Sequence, residues 1–305
     1  MKFSLNDNQL QQQQQKQQQK EQPYLLYGTA WKKEDTARYV KEAVEAGFRY
    51  IDTACQPKHY NEAGVGNGWV EGAKSANLSR DQLFLQTKFT SLNGQDKTRL
   101  PYDIDAPLEK QVRQSVATSL ENLQTTYLDR VVLHSPMRTF EATMQVWRVL
   151  ESFVEEGTIR SLGVSNCYDL KLFQRIYETA EVKPSALQNR FYRDSSFDVG
   201  LRKFCKEKGI LYQSFWTLTA NRHALASREA KKLALKKELT PQTLMYAYMM
   251  TLGHTPLSGT TNPNHMAEDV AVMKRFQSGE EILTVEEMRQ MDDLLGVSDF
   301  ESQHD

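Results

Sequence analysis

Four side chains of complementary chemistry follow short apolar runs in this 305-residue chain: Asp52, Tyr60, Lys88 and His134. Asp52 closes the run Phe48-Arg49-Tyr50-Ile51, and Tyr60 comes eight residues later in "IDTACQPKHYNEAGVG" (51–66). Lys88 is bracketed by Leu85 and Phe89, and His134 by Leu133 and Pro136, so both are expected to be partly desolvated. Singly, each has a commoner structural use: a lone Asp after a strand caps the next helix, and a lone His, Lys or Tyr packs or faces solvent. Together they make one device. A tyrosine is a poor acid at neutral pH, with an unperturbed pKa of about 10. A nearby ammonium lowers that value, and a carboxylate paired with the ammonium positions it. A neutral His can donate a hydrogen bond to a carbonyl oxygen and orient it. Tyr60 as proton donor, Lys88 and Asp52 as its tuners and His134 as orienter would suit reduction of a carbonyl, with hydride supplied by a cofactor.

Such a device works only if the fold brings the four to one mouth. From Pro23 onward, short apolar or β-branched runs alternate with helical patterns. The runs are 24–28, 48–52, 82–89, 130–136, 159–166, 185–191, 209–216 and 255–261. Ala37, Val40, Ala43 and Val44 form one face of a helix over 34–46, and Val112, Val116, Leu120 and Leu123 one face over 107–123. Further helices are expected over 226–237, 241–252 and, outside the repeating pattern, 284–295. Eight strand candidates, each followed by a helix, point to a parallel sheet with right-handed crossovers. The number and length of the units match a single α/β domain, a (β/α)8 TIM barrel, better than an open doubly wound sheet. No GxGxxG opens the first unit, which counts against a Rossmann domain. Chemistry in such a barrel sits at the C-terminal strand ends. Those ends carry Asp52, Lys88, His134, Ser165-Asn166, Gln188-Asn189, Phe215-Trp216 and Gly259-Thr260-Thr261.

The segments "GFRYIDTA…YNEAGVG", "LQTKF", "LHSP" and "LGVSN" resemble the aldo-keto reductases, in order and at similar spacing over residues 24–275. The resemblance implies a (β/α)8 barrel that binds a nicotinamide cofactor, usually NADPH, without a Rossmann fold. It implies a catalytic tetrad of Asp52, Tyr60, Lys88 and His134. The loop departs from the family pattern, because the Asp–Tyr spacing is longer and Tyr60 touches Asn61 directly. His59 occupies the other register but has no comparable proton-donor role. By position, Ser165, Asn166 and Gln188 would hold the nicotinamide carboxamide, Phe215 would stack on its ring, and Gly28 and Thr29 would lie beneath it. The last strand and helix would hold the adenosine phosphate through Gly259 and Thr260, with Glu268 and Asp269 at the adenine. The family's lysine and arginine there fall on Gly259 and His265. A neutral histidine cannot clamp a phosphate as an arginine does. The expectation is therefore NADPH use with weakened discrimination against NADH. Trp31, Phe89 and Trp216 are candidate walls of the substrate pocket.

Composition bounds the alternatives. With 39% hydrophobic and 25% charged residues, the chain can bury a sizeable core. A net charge of −1 gives no footprint for nucleic acid or an anionic membrane. No apolar run reaches the roughly 18 residues a membrane helix needs, and no secretory segment opens the chain, so a cytoplasmic location is expected. Cys55, Cys167 and Cys205 form neither a CxxC pair nor a disulfide framework, and no metal site is indicated. The Gln-rich residues 1–22 read as a disordered tail, 23–299 as the barrel and 300–305 as a C-terminal tail. A monomer acting on a small carbonyl substrate is expected. The alternative is an NADP(H)-binding regulatory or redox-sensing protein with little catalysis.

Overall fold

The structure is a computed structural model in which residues 24–297 are described. The Gln-rich tail 1–22, the expected start at Pro23 and the segment 300–305 lie outside the described residues. Eight parallel strands close into a barrel in sequence order. They are β1 (Leu26–Gly28), β2 (Tyr50–Asp52), β3 (Phe84–Phe89), β4 (Arg130–Leu133), β5 (Leu162–Ser165), β6 (Ala186–Arg190), β7 (Leu211–Phe215) and β8 (Thr255–Ser258). All eight fall within the expected runs.

The helices around them are α1 (Thr36–Ala46), α2 (Glu62–Ser75), α3 (Leu108–Asn122), α4 (Phe140–Glu155), α5 (Leu170–Thr179) and α6 (Val199–Lys208). Three follow β7: α7 (Arg222–Ala226), α8 (Arg228–Lys236) and α9 (Pro241–Thr251). After β8 come α10 (Pro263–Gln277) and the additional helix α11 (Val285–Leu295). Helix α11 packs on α8. Its Glu287 pairs with Lys236 and Lys237, and its Asp292 accepts from the Tyr248 hydroxyl. No described helix is long and apolar enough to cross a membrane.

Register sets which side chains share the barrel interior. Asp52 is level with Gly28 and Gln86, Gln86 with Arg130, and Gln188 with Ser165 and Gln213. Because strand side chains alternate faces, Gln86 and Lys88 share one face of β3, while Leu85, Thr87 and Phe89 share the other.

Helix α2 is a poor helix by propensity, since Gly64, Gly66, Gly68 and Gly72 each cost about 1 kcal/mol relative to Ala. Packing explains them. A Cβ on Gly68 would lie 2.5 Å from the Ala37 carbonyl of α1, and one on Gly72 2.8 Å from the Val44 Cβ. One on Gly66 would collide with the Asn122 carbonyl of α3. The bare face lets α2 lie close against α1, which fixes the base of the loop carrying Tyr60. Gly68→Ala is expected to lower unfolding stability by about 1–3 kcal/mol through overpacking. Gly259→Ala, where nothing lies within 4 Å of the added carbon, should change it by less than about 0.5 kcal/mol. Denaturant titration of both variants checks this; equal losses would contradict it.

Candidate active site

Asp52 ends β2 inside the barrel with only 2% exposure, where an unpaired carboxylate would be very costly. Its Oδ2 accepts from Lys88 Nζ at 2.6 Å. Its Oδ1 accepts from Gln86 Nε2 at 2.7 Å and Gln188 Nε2 at 2.9 Å. Gln213 closes the layer: its Oε1 accepts from both Gln86 and Gln188, and its Nε2 donates to Gln86 Oε1. Below them Arg130 reaches Gln86 Oε1 at 3.3 Å, and burial pulls its pKa down to about 10, against the pull of Asp129. Lys88 is 1% exposed and also donates to the Thr53 carbonyl. Burial works against its charge, but Asp52 and Tyr60 hold the ammonium above its ordinary value.

The lengthened loop delivers Tyr60 to this pair. Cys55 N–H bonds the Lys88 carbonyl, Tyr60 N–H the Gln56 carbonyl, and Asn61 caps α2 by accepting from Gly64. Lys88 Nζ lies 5.2 Å from the Tyr60 ring centre, and the ring meets His134 edge-on at 6.1 Å. His59 packs on Trp31, with ring centres 4.0 Å apart. Burial raises the Tyr60 pKa, Lys88 lowers it and Asp52 raises it, with a net upward shift. The expected net lowering by Lys88 is therefore reversed, because desolvation outweighs the ammonium. The phenol stays protonated at neutral pH, as a proton donor must.

His134 follows β4, its N–H on the Phe89 carbonyl. Its Nδ1 sits 2.6 Å from Thr90 Oγ1. Burial, Lys88 and His59 push its pKa down to about 3, so the ring is neutral. When the Thr90 hydroxyl donates to Nδ1, the neutral imidazole carries its hydrogen on Nε2. Thr90, which the sequence did not single out, lies one residue past β3 and two after Lys88, so alternation puts it on the same side as Lys88.

A cavity of about 1060 Å³ takes in all of the expected cofactor residues. Tyr60, Asp52 and His134 line it together with Gly28, Thr29, Ser165, Asn166, Gln188 and Phe215. Gly259, Thr260, His265, Glu268 and Asp269 line it too. Thr29 donates N–H and hydroxyl to the Asp52 carbonyl. The Ser165 hydroxyl donates to the Gln188 carbonyl, and Asn166 Nδ2 to the His134 carbonyl. Gln188 spends its side-chain Nε2 on Asp52 and Gln213, leaving its side-chain Oε1 without a hydrogen bond among the described residues. Asp269 accepts from the Ser258 hydroxyl, and burial raises its pKa to about 7. Trp31 and Trp216 frame the mouth, 61% and 49% exposed. Both have left-handed backbone, as does Asn166, a conformation that is strained for these residues and clusters at functional sites.

Phe89 does not join them. It is 1% exposed, packs on Tyr102 and does not line the cavity, because it occupies the outward face of β3. Residues missed in the sequence include Lys32, whose Nζ donates to the Gly259 carbonyl at 2.8 Å and whose pKa burial lowers to about 8. Arg190 and Arg222 also line the cavity.

Comparison with known proteins came to the same group from several sides. The family described as "Aldo/keto reductase family" matches residues 21–292. The glyoxal reductase of Bacillus subtilis (strain 168) is 34% identical over 58% of this chain and 55% of its own. The methylglyoxal reductase DkgA of Yersinia pestis is 27% identical over 83% of each chain. A solved aldo/keto reductase from Brucella melitensis superposes with a TM-score of 0.73 at 24% identity, over 89% of this chain and 95% of that one.

The desolvated imidazole gives a direct expectation. In an NMR titration the His134 Cε1 proton should remain at its neutral position through pH 5 and move only near pH 3. A histidine held neutral by the fold contributes less to stability as pH falls from about 6.5, because only the unfolded chain takes up the proton. A titration near 6.5 would contradict the burial argument.

Proposed function

The chain belongs to the aldo/keto reductase family, and we propose that it reduces aldehydes and ketones to alcohols with NAD(P)H, Tyr60 giving the proton. The observation that carries this is the meeting of Tyr60, Lys88 and His134 over one buried carboxylate, in a cavity whose other half holds a carboxamide acceptor and an aromatic platform. A nicotinamide bound there supplies the hydride. The side-chain Oε1 of Gln188 suits a carboxamide N–H donor, and the Phe215 ring suits an aromatic face.

The protein's own groups divide the remaining work. His134, neutral, donates a hydrogen bond to the substrate oxygen and fixes its orientation. Tyr60 holds its proton at neutral pH and passes it to that oxygen as negative charge develops. The Lys88 ammonium stabilises the phenolate left behind, and Asp52 keeps the ammonium charged in a dry site. After transfer, the exposed mouth offers a route for the proton to be replaced from water.

The substrate reading is small aldehydes, in keeping with the names of the glyoxal and methylglyoxal reductases to which the chain is similar. The mouth framed by exposed Trp31 and Trp216 favours broad acceptance. For the cofactor, Gly259 and His265 stand where the family has cations, which supports use of NADPH with weakened discrimination against NADH.

NADPH oxidation by purified protein with methylglyoxal or an activated aromatic aldehyde tests the reading. Tyr60→Phe should reduce kcat by about 10²–10⁴-fold while leaving the NADPH dissociation constant unchanged. Turnover surviving in the variant would remove Tyr60 from its role. No turnover by wild type that still binds NADPH would replace catalysis with a sensing function.

A further inference from the structure

We propose that Arg190 forms an anion subsite in the wall of the cavity, taking phosphate or carboxylate oxygens. Arg190 ends β6, two residues after Gln188 and level with Phe215. Its backbone N–H is held by the Tyr168 hydroxyl at 3.1 Å, and Tyr168 in turn reaches Asn166. The guanidinium lies 4.1 Å from the Trp216 ring centre, 5.1 Å from that of Tyr192 and 5.9 Å from that of Phe215. This aromatic surround fixes the plane of the fork before any ligand arrives.

What the fork lacks is an acceptor. Its Nε is buried without a hydrogen-bond partner, and no ion pair among the described residues includes Arg190. The other buried arginines of the barrel behave differently. Arg130 donates to Gln86 and Ser185, and Arg202 to the Phe197 carbonyl. A partly buried guanidinium whose donors go unused is costly unless a ligand supplies the acceptor. An anion does so best, because planar oxyanions accept two parallel bonds from one guanidinium. The same cavity lacks the cations expected at Gly259 and His265, so Arg190 brings positive charge from β6 rather than from β8.

Two sources carry such oxygens: the diphosphate of a dinucleotide and an acidic group on the substrate. Arg190 lies on β6 with Gln188 and level with Phe215 of β7, where the nicotinamide end of a dinucleotide would sit, so the experiment separates the two sources. That assignment rests on the reductase reading; the anion subsite itself does not.

The deciding experiment titrates inorganic diphosphate into wild type, Arg190→Met and Arg190→Lys, read by tryptophan fluorescence. Trp216→Phe identifies which of the four tryptophans reports. Wild type should saturate, Arg190→Met should bind at least about tenfold more weakly, and Arg190→Lys should fall between, since it keeps charge but loses the fork. Matching far-UV spectra and melting curves establish that the variants fold. No saturable binding by wild type, or equal binding by Arg190→Met, overturns the subsite. The NADPH dissociation constant, from nicotinamide fluorescence without turnover, and the KM ratio of a carboxylated to an uncharged benzaldehyde then assign the source. Weakened NADPH binding in Arg190→Met assigns the diphosphate, and a raised KM for the carboxylated aldehyde alone assigns the substrate. Neither moving overturns the proposal. Wild type that binds diphosphate but not NADPH leaves the subsite standing and removes the reductase reading.

Discussion

The ion pair between Lys88 and Asp52 is the constraint around which the barrel interior is built. Two charges this deeply buried lose hydration worth several kcal/mol each, and their mutual attraction offsets that only when every remaining donor and acceptor is satisfied. The fold meets the condition with three donors on the carboxylate and a ring of glutamines behind it. Interiors of barrels of this kind are usually packed with branched apolar side chains. Here the polar layer takes that volume, so hydrophobic stabilisation is concentrated between strands and helices. Val40, Val44, Phe48 and Ile51 on one side, and Trp147, Leu150 and Phe173 on another, are fully or almost fully buried there.

That division of labour explains the close helix packing near the site. The carboxylate layer tolerates little displacement, since a change of a few tenths of an ångström degrades several hydrogen bonds together. Helix α2 starts directly after Tyr60, and its glycine face holds it tightly on α1. Asn61 both caps that helix and reaches the Lys33 carbonyl of the loop after β1. Tyr60 is thus tied to a rigid element on one side and to Lys88 on the other.

Much of this was legible in the sequence, for physical reasons that also mark where legibility ended. Strand–helix alternation was strong because each strand is a short apolar run bounded by polar or glycine residues, and the strand ends carried chemistry-bearing types. Gln86 and Gln213 were not legible, since each is a single polar residue in an apolar run and its meaning depends on facing the other across the barrel. Phe89 shows a signal that was present but unused: with Lys88 pointing inward, period-two alternation sends Phe89 outward. The Tyr60 pKa turned on the balance of burial against one neighbouring charge, and composition carries no measure of burial. Arg190 in "QNRF" is unremarkable until Trp216, distant in sequence, is seen beneath it.

The loop between Asp52 and Tyr60 has a different kind of consequence. Its first residues are pinned to β3 through Thr53 and Cys55, and its last turn closes on Gln56, so the extra residues bulge outward beside a second cavity of about 780 Å³. This rim is a piece of chain distinct from the buried Lys88–Asp52 pair, and it carries Tyr60 at its end. A change in the length or composition of residues 55–59 would reshape this rim while leaving the Lys88–Asp52 pair and its glutamine layer in place.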